Sequence, residues 1–379
     1  MDDTTTLMAS CLCGDCKFQV DVPTSSLPLD AHLCHCNLDR HTHGTLCVYH
    51  AFVPMVPSLE GMTPYKVIPT SEVVRYFCTT CGTHMGDTTE KRERWCLSTG
   101  VVDKSETIFQ FKNHVFVSDT KDGGLSGWLP EIEGERLKYW EGHSGESTEL
   151  DPPIKNEISD TFTKSDRLHV YCQCRGVDFY ISRPDYNSPA FIADFPDMPT
   201  LNSAPRNTQE EMKYDNWWIA TDRAKYVAEN CACPSCRLAA GCDIVQGAFV
   251  PTCFITQANG SPYANIFGTM KEYNSSGPIW RRFCGICGAT VFRHDIGERP
   301  KYVSVAVGLM DADSGSRAEE WLEWRTGELN HLDMALNNPL ATAVQDGARA
   351  WSKRTGQSSR CSEGWGEPNI TAVIREGAS

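Results

Sequence analysis

The chain has 379 residues, 40% of them hydrophobic and 22% charged, and its formal net charge is −14. That composition is ordinary for a globular protein, and the acidic balance, with no basic stripe, argues against a nucleic-acid-binding surface. No apolar run is long enough to span a membrane, and the start Met1-Asp2-Asp3 is acidic where a secretory signal is basic and then apolar, so a cytoplasmic protein is expected.

In chain order, short runs with alternating apolar residues dominate, bounded by Gly, Pro, Asp or Ser, as in Phe18-Gln19-Val20-Asp21-Val22 and Val177-Asp178-Phe179-Tyr180-Ile181. This pattern predicts short strands. Three cysteine blocks punctuate the first half: Cys11-Leu12-Cys13, Cys34-His35-Cys36 and Cys78-Thr79-Thr80-Cys81-Gly82. Residues 141–165, rich in Glu, Ser, Gly, Pro and Asp, read as a linker. The blocks then recur as Cys172-Gln173-Cys174, Cys231-Ala232-Cys233-Pro234-Ser235-Cys236 and Cys284-Gly285-Ile286-Cys287-Gly288.

Block order repeats while the separations grow, which points to a duplication with insertions. The parallels His50-Ala51-Phe52-Val53-Pro54 with Gly247-Ala248-Phe249-Val250-Pro251, and Arg75-Tyr76-Phe77-Cys78 with Arg281-Arg282-Phe283-Cys284, support it. The expected organisation is a first domain over 7–140, the linker, a second domain over 166–340, and a C-terminal helix and tail over 341–379. The second domain carries a proline-punctuated insertion at 181–228, read as a long loop or cap. Helix candidates are few: a brief one from Asp333 to Leu340 and a better one from Ala341 to Trp351. The tail from Lys353 onward reads as loop.

A reducing compartment makes clustered cysteines candidates for metal binding or catalysis rather than disulfides. Cysteines at i and i+2 of a strand share a face. A C-x-x-C-G turn brings two more sulfurs round a knuckle whose glycine can adopt the left-handed conformation. Pairing the two kinds of block gives a four-thiolate site of the structural zinc type. The alternatives are buried thiols or a redox motif, and no βαβ pattern surrounds either C-x-x-C. The middle block of the second half offers three sulfurs, one short of a tetrahedron, which is the mark of a catalytic metal site. Arg237 follows it, as a catalytic-site residue that anchors the segment or an anionic substrate group, or as an ordinary surface arginine. In the first half the corresponding third position is Asp39, so Cys34, Cys36 and Asp39 form either a weaker zinc site or a lost one. His35, His41 and His43 lie nearby, as surface or supporting residues more readily than ligands. The remaining cysteines, including Cys16, Cys47, Cys96, Cys242, Cys253 and Cys361, read as buried or incidental thiols. Tyr214, Trp217, Trp218 and Tyr226 are core or pocket-lining aromatics.

Together these residues resemble the family of glutathione-dependent formaldehyde-activating enzymes, the centromere protein V/GFA domain, whose pattern is C-x-C-G, C-x-C-x-x-C-R and F-C-x-x-C-G. The resemblance covers about 7–122 and 169–332, with Arg175 interrupting the opening motif of the second half. It implies a mainly β fold of two tandem Mss4-like (β-tent) zinc domains. It implies structural zinc on Cys11, Cys13, Cys78 and Cys81 and on Cys172, Cys174, Cys284 and Cys287, with catalytic zinc on Cys231, Cys233 and Cys236. A further ion is expected if Cys34, Cys36 and Asp39 still hold one. The implied activity is that of a carbon-sulfur lyase acting on a small organic or thiol-adduct substrate, with glutathione or another thiol as partner and a cyclisation or elimination step as a variant. Two other classes remain: a non-enzymatic zinc-stabilised scaffold or small-molecule-binding protein, and a hydrolase using zinc-activated water.

Overall fold

The computed structural model describes residues 3–91, 94–151, 165–185, 218, 220, 224–294 and 302–356. The fold is mainly β. The first strands, β1 (Thr4–Ser10) and β2 (Lys17–Pro23), pair antiparallel around the first cysteine block. Phe18, Val20 and Val22 of β2 point inward while their neighbours face solvent, the period-two pattern of a half-buried strand.

After β3 (Leu29–Cys34) comes the short helix α1 (Asn37–His43), then β4 (Val48–Val53), β5 (Met62–Tyr65), β6 (Val73–Cys78), β7 (His84–Thr89), β8 (Trp95–Ser98) and β9 (Phe109–Val115). The hairpin strands β10 (Glu131–Ile132) and β11 (Glu135–Arg136) precede β12 (Lys138–Trp140) and β13 (Glu149–Leu150). One nine-stranded sheet runs β13-β12-β9-β3-β4-β8-β7-β6-β5, with β9 parallel to β3. The strand β13 lies within the expected linker, and residues 152–164 of that linker lie outside the described residues.

The second half repeats this plan with β14 (Arg167–Tyr171), β15 (Asp178–Ser182), β16 (Tyr226–Cys231), the helix α2 (Pro234–Ala240), β17 (Val245–Pro251) and β18 (Ile255–Gln257). There follow β19 (Met270–Ser276), β20 (Ile279–Cys284), β21 (Thr290–His294), β22 (Tyr302–Ala306), β23 (Met310–Asp311) and β24 (Leu322–Trp324). A seven-stranded sheet runs β19-β20-β21-β22-β17-β16-β24, while β14 and β15 sit with β18 and β23 in a four-stranded one. Most of the insertion lies outside the described residues, Tyr214 and Trp217 among them. Trp218 and Tyr226 are buried core residues whose rings stack at 6.1 Å.

The C-terminal helix α3 (Asn338–Thr355) runs past both ends of the expected Ala341–Trp351 segment. Asn337 caps its N-terminus by accepting a hydrogen bond from the Leu340 amide, and Pro339 suits the first turn, where a missing N–H costs nothing. The short helices α1 and α2 are not anticipated from hydrophobic period, because seven residues give barely two turns of signal. Each is set instead by a cysteine N-cap before it and a left-handed glycine, Gly44 or Gly241, after it.

The halves pack as a pseudo-symmetric pair. Arg40 of α1 donates through Nη1 to the Gly308 and Met310 carbonyl oxygens of the second half, at 3.1 and 2.8 Å. Arg237 of α2 donates reciprocally to the Gly100 and Val102 carbonyl oxygens of the first. Asp122 accepts from Ser316 Oγ and the Arg317 amide at 2.8 and 2.6 Å. Trp128 meets Trp324 and Trp351 at centroid distances of 4.8 and 5.6 Å, so one apolar core is continuous through both halves and α3. This reciprocity is that of an isologous dimer interface made within one chain.

Candidate metal and catalytic centres

The outer cysteine blocks of each half converge. In the first, the Cys11, Cys13, Cys78 and Cys81 sulfurs lie within 4.8 Å of one another, with Cys11 to Cys13 at 3.4 Å and Cys13 to Cys78 at 3.6 Å. In the second, Cys172, Cys174, Cys284 and Cys287 do the same, with Cys172 to Cys174 at 3.5 Å and Cys174 to Cys284 at 3.4 Å. A disulfide would bring the sulfurs to about 2 Å. Thiolates at about 2.3 Å around tetrahedral zinc stand about 3.8 Å apart, so both clusters fit that ion in donor type, number and spacing. Backbone amides support the sulfurs: Cys16 N–H donates to Cys11 Sγ at 3.2 Å, and Val177 N–H to Cys172 Sγ at 3.3 Å.

The knuckle glycines Gly82 and Gly288 both have φ of +80°, and a β-carbon on either would strike Phe283 or Phe77 of the other half. They therefore serve the sulfur turn and the interface together. At the first block, Gly14 has φ of +82° and its amide donates to the Cys11 carbonyl. Arg175 takes that place in the second half with φ of +59° and the same bond to Cys172, its guanidinium over the Tyr171 ring at 3.2 Å. The interrupted motif thus keeps its turn.

The middle block begins at the end of β16 and continues into α2. Cys231, Cys233 and Cys236 bring their sulfurs within 4.8 Å. Cys233 is the helix N-cap, its Sγ accepting from the Cys236 amide at 3.3 Å. From β20 of the same sheet, Arg281 Nη2 donates to Ser235 Oγ at 2.8 Å and approaches Cys236 Sγ at 3.5 Å. The Cys231 and Cys233 sulfurs, followed by the Arg281 and Arg293 charges, hold the Cys236 thiol well below its usual range. Two residues before Cys231 on the same strand face stands Glu229, whose carboxyl is raised by burial and restrained by Arg325, 3.1 Å away.

In the first half, Cys34, Cys36 and Asp39 occupy the same positions around α1 and also lie within 4.8 Å. Cys36 caps the helix and accepts from the Asp39 amide at 3.3 Å. The difference lies in the arginine. Arg75 donates through Nε and Nη2 to the same Asp39 carboxylate oxygen, at 3.0 and 2.6 Å. Against the upward pull of burial, the charge of Arg75 keeps this carboxyl well below the usual carboxylate range.

Arg237 is buried rather than a surface arginine, and of its two other readings its contacts fit the anchoring one, since Nη1 points to first-half carbonyls. The His35, His41 and His43 group is buried rather than on the surface, and the structure scatters it. His35 Nε2 meets His114 Nδ1 at 2.9 Å, His41 Nδ1 meets the Tyr171 carbonyl at 2.8 Å, and the His43 ring lies 3.8 Å from that of His84. Sequence reasoning assigned no role to Arg75, Arg281, Arg293 or Glu229. The recurring Arg-x-Phe-Cys string was visible, but only the sheet shows that its arginine reaches the third ligand position.

A family model described as glutathione-dependent formaldehyde-activating enzyme matches residues 6–119 and 219–324. The second match starts after Cys172 and Cys174, yet these sulfurs complete the four-cysteine cluster of that half. No curated protein matches the chain.

Proposed function

Because the chain belongs to the glutathione-dependent formaldehyde-activating enzyme family, we propose that it is a zinc-dependent carbon-sulfur lyase. Its working centre in this reading is Cys231, Cys233 and Cys236, and its substrate a small organic molecule or a thiol adduct, with glutathione or another thiol as partner. A cyclisation or elimination step in a biosynthetic pathway is a variant of this reading. The observation that carries the reading is the convergence of three sulfurs with no carboxylate among them, the third beside Arg281. Zinc on these thiolates would supply Lewis acidity and an affinity for sulfur. Arg281 and Arg293 favour the thiolate form of Cys236, and Glu229, raised by burial, is suited to hold or pass a proton beside the three sulfurs. Hydrolysis is the weaker alternative, because three thiolates leave bound water less acidic than nitrogen ligands do. We further read each half as a Mss4-like β-tent unit, the two spanning about 7–140 and 166–340, and the protein as cytoplasmic. Among the described residues no helix is long and apolar enough to cross a membrane.

The test is turnover of thiol-adduct substrates by Cys231→Ser, Cys233→Ser and Cys236→Ser variants, each expected to lose more than about 100-fold while staying folded, a larger loss than an outer-shell change brings. Unchanged turnover in folded variants overturns the reading. Two tightly held zinc ions and no ion removable by mild chelation would instead mark a scaffold.

A further inference from the structure

Outside the cysteine blocks, a second kind of ligand set lies on the first-half sheet. His32 on β3 stands directly opposite His50 on β4. On the next strand, β8, Ser98 is opposite His50 and Cys96 is opposite Phe52, so Cys96 sits diagonally from His50 on the same face. One ring nitrogen of each histidine and the Cys96 sulfur lie within 4.8 Å of one another. Asp87 of β7 is paired with Cys96, and its Oδ2 lies 3.8 Å from His50 Nδ1. His50 and Cys96 are buried, while His32 is half-buried.

The duplication supplies a control. His32 and Glu229 each precede the first middle-block cysteine by two residues, and His50 and Gly247 open the shared Ala-Phe-Val-Pro string. Cys96 and Ser304 are each the cross-strand partner of the phenylalanine in that string. Asp87 and Arg293 are in turn the partners of Cys96 and Ser304. The second half thus has carboxylate, glycine, hydroxyl and guanidinium where the first has imidazole, imidazole, thiol and carboxylate, and Glu229 is engaged by Arg325. A drift to inert filling would not be expected to assemble nitrogen and sulfur donors at adjoining points of one face.

We propose that the first half binds a divalent transition-metal ion of the zinc class through His32, His50 and Cys96, at a site separate from the cysteine blocks. Two imidazoles and a thiolate suit zinc in donor type, and they leave one position of a tetrahedron for Asp87, water or a ligand. The site neighbours Cys34, Cys36 and Asp39 but does not need them: Arg75 engages Asp39, and of the new ligands only His32 shares β3 with Cys34, while His50 and Cys96 sit on β4 and β8.

The experiment is zinc counting by native mass spectrometry on the full chain, for wild type, His50→Gln/Cys96→Ser and His32→Asn. The double variant is expected to carry one zinc fewer at saturating metal, and His32→Asn, a change at a half-buried position, to release one zinc at a chelator concentration at least about tenfold lower than wild type. In cadmium-loaded protein, cadmium-113 NMR should show a resonance distinct from the all-sulfur sites that His50→Gln removes, a readout that stands even where the double variant folds poorly. Equal zinc counts and retention in folded wild type and variants, or a cadmium spectrum that His50→Gln leaves unchanged, would overturn the proposal.

Discussion

Asp39 and Cys236 occupy the same turn of equivalent helices, and each faces the arginine that sits three residues before the third cysteine block. In the second half that arginine, Arg281, divides its contacts between Ser235 and the Cys236 sulfur, which leaves three sulfurs in one cluster. In the first half Arg75 closes on the Asp39 carboxylate with two donors, and the third ligand position becomes one end of a buried ion pair. One exchange of residue type thus replaces the third sulfur with a carboxylate that the arginine already satisfies. The four-sulfur clusters stay alike in the two halves.

The comparison is broken most severely by attacking what the halves share. Cys78→Ser or Cys284→Ser removes one sulfur from a four-thiolate cluster and should cost on the order of 5 kcal/mol or more, read as loss of cooperative unfolding together with one zinc. Either half should be equally sensitive.

Next in size is the feature that separates the halves. Arg75→Met leaves the Asp39 carboxylate buried without its counter-charge and should destabilise by about 3–5 kcal/mol in denaturant unfolding, whereas Arg75→Met with Asp39→Leu should recover most of the loss. The pair also sets a pH signature. Since the folded Asp39 carboxyl lies below its unfolded value of 3.8, its contribution is complete above that pH and falls away only as the solution is acidified through the folded range. The stability gap between wild type and Asp39→Asn should therefore be flat from pH 5 to 8 and shrink below pH 4.

Smaller again are the reciprocal anchors. Arg40→Met and Arg237→Met each remove charge-assisted bonds to carbonyls of the other half and should each cost about 2 kcal/mol, similar to one another if the interface is as symmetric as its contacts. The smallest effect is expected at the first block, where Arg175→Gly relieves a left-handed residue but loses a stacked guanidinium. Its stability should change by no more than about 1 kcal/mol.

The four-sulfur clusters were legible because strand period and knuckle spacing place their ligands locally and only the pairing of blocks is long-range. The three sulfurs of the second half were legible for the same reason, lying within six residues. Arg75 and Arg281 were not, because their roles depend on which strand lies beside which helix. His32, His50 and Cys96 are further out of reach: they are on three separate strands, and only the register β3-β4-β8 puts them on one face. Arg237 follows its cysteine in sequence, but its direction is set by the packing of the other half, which no local pattern records.

The most direct test of the asymmetry is the labile zinc content of Cys231→Ser and Cys34→Ser, measured side by side by native mass spectrometry with mild chelation. The expected result is one ion lost from Cys231→Ser and none from Cys34→Ser. Loss of an ion from Cys34→Ser, or an unchanged count in Cys231→Ser, would contradict the assignment of the working metal centre to the second half.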